Sequence, residues 1–157
     1  MIHRLRLRPY HPPYILAYLG SKADMRPAMR YAVEKVREGG PGLEVELVEG
    51  FDDICMRCEK LEKRPSGSVW GEGYSCPTAE DPDMVRSIAD ENEAILKAIG
   101  LKFGDVLRAR ELFPLFADKL PELKSYPQCG KDFIQENYLK GMELLLRLWD
   151  REEGRWP

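Results

Sequence analysis

Four cysteines constrain this chain more than any other feature. Cys55 and Cys58 stand two residues apart, and Cys76 and Cys129 follow after gaps of seventeen and fifty-two residues. A Cys-x2-Cys pair can direct two thiolates at one inorganic centre, and four soft ligands suit a tetrahedral metal or a cubane iron–sulfur cluster. The pair lies in Asp52-Asp53-Ile54-Cys55-Met56-Arg57-Cys58, directly after a strand-like run. Cys76 falls five residues before an expected N-cap at Asp81, and Cys129 falls just before the last expected helix. Helix N-termini offer unpaired N–H groups and partial positive charge, which favour thiolates and anionic clusters. Structural zinc often uses two Cys-x2-Cys knuckles. Here one pair is joined by two isolated cysteines, one of them followed by Pro77 as cluster ligands often are. The spacing therefore favours one [4Fe-4S] cluster on Cys55, Cys58, Cys76 and Cys129, with Zn as the alternative metal. Buried structural thiols and two disulfides are the readings without a metal.

A chain of 157 residues with 43% apolar side chains, including three Trp, seven Tyr and five Phe, can bury one real core. A single domain over 1–157 is expected, with a charged tail at 150–157 that frays. The 24 basic and 27 acidic side chains leave a net charge of −3, without the cationic excess that nucleic acid binding requires. No apolar run approaches the length that spans a bilayer, and the basic start is followed by prolines where a signal peptide would have its apolar core. A cytoplasmic protein with no nucleic acid and no membrane partner is expected. In a reducing compartment, cysteine spacing points to metal binding sooner than to disulfides.

Leu5 and Leu7 alternate with Arg4, Arg6 and Arg8, as in a half-buried first strand with its arginines toward solvent. Pro9, Pro12 and Pro13 predict a rigid connector rather than regular structure. Ile15 to Leu19 is an apolar stretch that leans helical. Asp24 is an expected N-cap for a helix whose stripe is Met25, Ala28, Met29, Ala32, Val33 and Val36, ending at Gly39-Gly40. Leu43, Val45 and Leu47 alternate with Glu44 and Glu46 as a second strand. Strand, helix and strand predict a parallel βαβ unit, with the acids of the second strand facing the arginines of the first.

Lys60 to Ser75 reads as a long loop held at both ends by the cysteines. Asp81-Pro82-Asp83 caps a helix ending at Gly100, with Met84, Ile88, Ile95 and Ile99 on one face. Val106 to Leu120 reads as helix kinked or divided at Pro114. A last helix from Lys131 carries Phe133, Ile134, Tyr138, Met142, Leu145, Leu148 and Trp149. The fold class is thus α/β or α+β, a small parallel βαβ sheet followed by a mainly helical C-terminal half.

Arg8-Pro9-Tyr10-His11, Val48-Glu49-Gly50-Phe51-Asp52-Asp53-Ile54-Cys55 and Cys129-Gly130 together resemble the small bacterial and archaeal family known as domain of unknown function 1284. The resemblance runs from about Leu5 to Cys129 and implies iron–sulfur binding without implying a reaction. That family's pattern is Arg-Pro-His-His-x-x-Cys and Val-x-Gly-Pro-Asp-Asp-Ile-Cys. Tyr10 stands here for the first histidine, Tyr14 for the cysteine and Phe51 for the proline; if that cysteine is a ligand in relatives, the site here must be completed otherwise, and Cys58 with Cys129 could do so.

His11 reads as an ordinary hydrogen-bonded histidine, with a general base or an extra ligand as the alternative. Arg8 reads as a strand-end charge, with anion binding as the alternative. Asp52 and Asp53 read as turn-shaping acceptors of N–H bonds, and Tyr10, Tyr14 and Tyr18 as packing beneath the first loop, with a pocket lining as the alternative. A four-cysteine cluster implies electron transfer or another redox role, with an unnamed redox partner or protein. The alternatives are a zinc-stapled interaction module and an enzyme with an open iron near His11 and Arg8.

Overall fold

The computed structural model describes residues 4–119, 121 and 131–152. Leu5 and Leu7 are buried on either side of exposed Arg6, and Leu5–Leu7 forms β1. β2, Glu44–Leu47, runs parallel to it with Leu5 opposite Val45 and Leu7 opposite Leu47. The crossover between them contains α1, His11–Leu19, and α2, Pro27–Gly39. Arg4 pairs with Glu44 at 3.2 Å and Glu46 at 3.5 Å on the exposed face, so the acids of β2 do meet an arginine of β1.

Two local expectations about α1 and α2 are corrected. The proline segment is not a connector throughout, because α1 begins at His11 and takes Pro12 and Pro13 into its first turn. First-turn N–H groups have no intrahelical partner, so proline removes nothing there. Asp24 is not the cap of α2. Arg26 holds that position without a side-chain bond, and Pro27 starts the helix. The stripe Ala28, Met29, Ala32, Val33 and Val36 is buried as expected.

The segment from 60 to 75 is a small hairpin rather than a loop. β3, Glu62–Lys63, pairs antiparallel with β4, Tyr74–Ser75, and a further bridge joins Ser68 to Gly71. Trp70 pins the hairpin down. Its Nε1 donates to the Ala79 carbonyl at 2.9 Å, and its own carbonyl accepts from Phe51 N at 3.0 Å. Gly50 is required here, since a Cβ on it would collide with the Trp70 carbonyl oxygen. Phe51, Trp70, Ala79 and Ile88 form a second, smaller core.

Asp81 caps α3, Pro82–Ile99, by accepting from Asp83 N at 2.7 Å, and Gly100 ends it in the left-handed conformation. Met84 is exposed on this helix, while Ile88, Ile95 and Ile99 are buried. Val106–Arg108 is not helical. It forms β5, which pairs antiparallel with β2, so the sheet has the order β1-β2-β5 and is mixed rather than purely parallel. The open edge of β2 offers backbone partners that outweigh the weak helical pattern of so short a segment. α4, Ala109–Lys119, runs undivided through Pro114.

α5, Lys131–Glu152, packs along α1 with Ile134, Tyr138, Met142, Leu145 and Trp149 in the main core. Two glycines set the closeness of that crossing. A Cβ on Gly141 would strike the Leu16 carbonyl, and one on Gly20 would strike the Asn137 carbonyl. The result is a single mixed α/β unit, with the small sheet backed by helices.

Candidate metal centre

The site grows out of the end of β1. Asp52, fully buried, accepts the Arg8 backbone N–H on Oδ2 at 2.8 Å and the Cys55 N–H on Oδ1 at 2.9 Å. Its Oδ2 also meets His11 Nδ1. Asp53 accepts from Arg6 N at 2.8 Å, so the acid pair ties the cysteine loop to β1. The chain then makes a 3-10 turn, Cys55–Arg57, with Cys58 N bonded to the Cys55 carbonyl at 3.0 Å. Cys76 leads a second 3-10 turn, Pro77–Ala79. The thiols thus flank the hairpin, Cys58 before it and Cys76 after it.

Cys55, Cys58 and Cys76 line one pocket of about 500 Å³. All three are free thiols among the described residues. Cys129 lies outside the described residues. Among the described residues no three His, Cys, Asp or Glu side chains stand close enough together to hold one metal ion. Cys55, Cys58 and Cys76 therefore share a pocket without forming a closed single-ion site.

Arg8 and His11 line the same pocket, as do Tyr10, Tyr14, Tyr18 and Phe51. Tyr10, Tyr14 and Phe51 are therefore all pocket walls. Arg8 does not face solvent as strand alternation predicts. It is only 2% exposed, and its Nε donates to the Gly50 carbonyl at 2.9 Å while Nη1 donates to the Tyr10 hydroxyl at 3.0 Å. Its guanidinium lies 4.4 Å from the centroid of the Trp70 ring, with Phe51 and Tyr10 slightly farther. Nη2 is buried and has no hydrogen-bond partner among the described residues.

Burial acts to raise the Asp52 carboxyl, but the adjacent His11 and the two backbone N–H bonds outweigh it and hold the group below the ordinary carboxylate range. Burial, reinforced by the Asp52 charge, pushes the Cys55 thiol well above its ordinary value against the pull of Arg8. Burial likewise raises Tyr10, which stays a neutral hydroxyl beside the guanidinium.

No family model, curated protein or solved structure matches this chain. Function is read from the pocket itself. Its donor set is soft at the wall where Cys55, Cys58 and Cys76 stand. The cage of Phe51 and Trp70 around Arg8 was not legible in the sequence. Its only signal was a lone tryptophan in an otherwise polar segment.

Proposed function

We propose that this protein holds one [4Fe-4S] cluster in the thiol-lined pocket, with Cys55, Cys58 and Cys76 as ligands and Cys129 as the fourth, in an electron-transfer or redox role. The observation that carries the reading is that Cys58 and Cys76, from opposite ends of the hairpin, line one pocket with Cys55. A cluster several ångströms across needs such a pocket, whereas zinc needs only the gap between thiolates about 2.3 Å from it. The resemblance to domain of unknown function 1284 points the same way. The cluster, when bound, supplies one-electron chemistry. The chain's own residues supply the frame: Trp70 fixes the hairpin whose two ends carry Cys58 and Cys76, and Asp52 fixes the Cys55 turn.

A second reading, an enzyme with one iron left open, draws on Arg8 and His11 lining the same pocket and on Tyr14 standing where the resembled family has a cysteine. Protein purified without oxygen should be brown and contain iron and sulfide in cluster ratio. Stoichiometric zinc in colourless protein would replace both readings with a zinc-stapled module. Iron retained after Cys129→Ser but lost after Cys55→Ser, Cys58→Ser and Cys76→Ser would favour the open iron.

A further inference from the structure

The charges around the thiol-lined pocket are sorted by side. Arg26 and Lys60, both exposed, stand in its lining with Cys58. Cys58 also lines a small neighbouring cleft, together with Arg26, Arg57 and Glu59. Three cations therefore gather on the Cys58 side against one acid. Arg57 is held in place, its guanidinium 3.6 Å from the centroid of the Tyr31 ring and its Nη1 donating to the Asp53 carbonyl at 3.2 Å. Arg26, Arg57 and Lys60 have no carboxylate partner among the described residues. The Cys76 side carries the opposite sign. Glu80 accepts the Cys76 N–H at 3.2 Å, and Asp81 and Asp83 stand at the start of α3.

A scattered surface cation is solvated and recruits nothing. Three on one side of a pocket, in a chain whose net charge is −3, attract an anion locally where the protein as a whole repels it. Beside these charges the surface is apolar and adaptable, with exposed Met56 following Cys55 and exposed Met84 in the pocket lining. Methionine fits more than one partner geometry, and electron-transfer encounters bury little area and use charge for orientation. We propose that the Cys58 side of this pocket is the docking surface for a one-electron carrier protein with an acidic face, placed by Arg26, Arg57 and Lys60. The inference rests on the cluster reading and specifies its partner. One electron passes from the reduced cluster to the oxidised centre of the carrier; no bond forms or breaks and no proton moves.

The test uses protein purified without oxygen, its iron and sulfide measured first, with two anionic complexes standing in for the acidic face. Ferricyanide takes one electron from the reduced protein, and its stopped-flow rate should fall as salt rises from about 0.02 M to about 0.5 M. The cationic oxidant hexaammineruthenium(III) should show no such fall. Hexacyanochromate(III), a paramagnetic anion that takes no electron here, should broaden the Arg26 and Lys60 amide signals of the oxidised protein before those of Asp81 and Asp83. Arg26→Glu with Lys60→Glu should lower the low-salt ferricyanide rate about tenfold and abolish the broadening, with iron content unchanged. The same charge change at the opposite ends of α2 and α3, Arg37→Glu with Lys97→Glu, should alter that rate by less than about twofold. A ferricyanide rate that rises with salt, broadening spread evenly over the surface, or equal losses in the two double variants overturns the docking surface and leaves the cluster standing. Protein without iron and sulfide overturns the cluster, and the carrier with it.

Discussion

The carboxylate of Asp52 takes the backbone N–H of Arg8, at 2.8 Å, and not its guanidinium. The two charges support each other only at a distance. Asp52 locks the end of β1 to the cysteine turn, and the Arg8 guanidinium is buried among rings, with Nε on the Gly50 carbonyl.

Asp52 therefore carries stability as well as shape. Asp52→Asn keeps the volume but loses the charge that His11 and two N–H groups surround, and should cost about 3 kcal/mol at neutral pH. The folded-state carboxyl is held below its unfolded value. Its contribution is thus complete above about pH 4 and lost as pH falls through the lower folded value. Urea midpoints of the two proteins from about pH 7 to about pH 2 should converge toward acid; parallel curves would show that Asp52 is not the linked group.

Gly141 is expected to tolerate no side chain. Gly141→Ala drives a methyl into the Leu16 carbonyl at the α1–α5 crossing, and the helices must separate at a cost of about 2 kcal/mol or more. A thermal melt reports it. An unchanged midpoint would mean that the two helices do not pack this closely.

Trp70 joins the hairpin to the pocket, being buried, bonded to the Ala79 carbonyl and stacked on Arg8. Trp70→Ala should cost about 3 kcal/mol, and its effect should be local first. Limited proteolysis is expected to cut between Cys58 and Cys76 before any other site in this variant, but not in the wild type.

Cys58→Ser and Cys76→Ser test the pocket from opposite ends of that hairpin. On the cluster reading each should abolish iron and sulfide retention while leaving the helical circular dichroism largely intact, because α1, α2 and α5 bury a core of their own. Retention of iron by both variants would remove these thiols from the ligand set.

Much of the fold was legible locally. The alternation at Leu5 and Leu7, the stripe of α2, the Asp81 cap and the left-handed Gly100 all arise from interactions within a few residues, which sequence periodicity records. The errors share one cause. The local pattern of β5 favours helix because its partner edge on β2 lies about sixty residues away in sequence. The hairpin leaves no pattern because its two-residue strands are too short for one. Alternation points Arg8 toward solvent, but it ends at Leu7, where the chain leaves the sheet.

The sequence by itself determined which thiols, acids and aromatic rings were available and which helices would form, since propensity, capping and apolar spacing act at short range. Only the tertiary structure decided that Cys55, Cys58, Cys76, Arg8, His11 and Tyr14 share one pocket, and that the Arg8 guanidinium is buried beside it with no direct carboxylate bond among the described residues. That decision rests on Asp52 choosing a backbone donor over a charged side chain, a choice made by packing between segments more than forty residues apart.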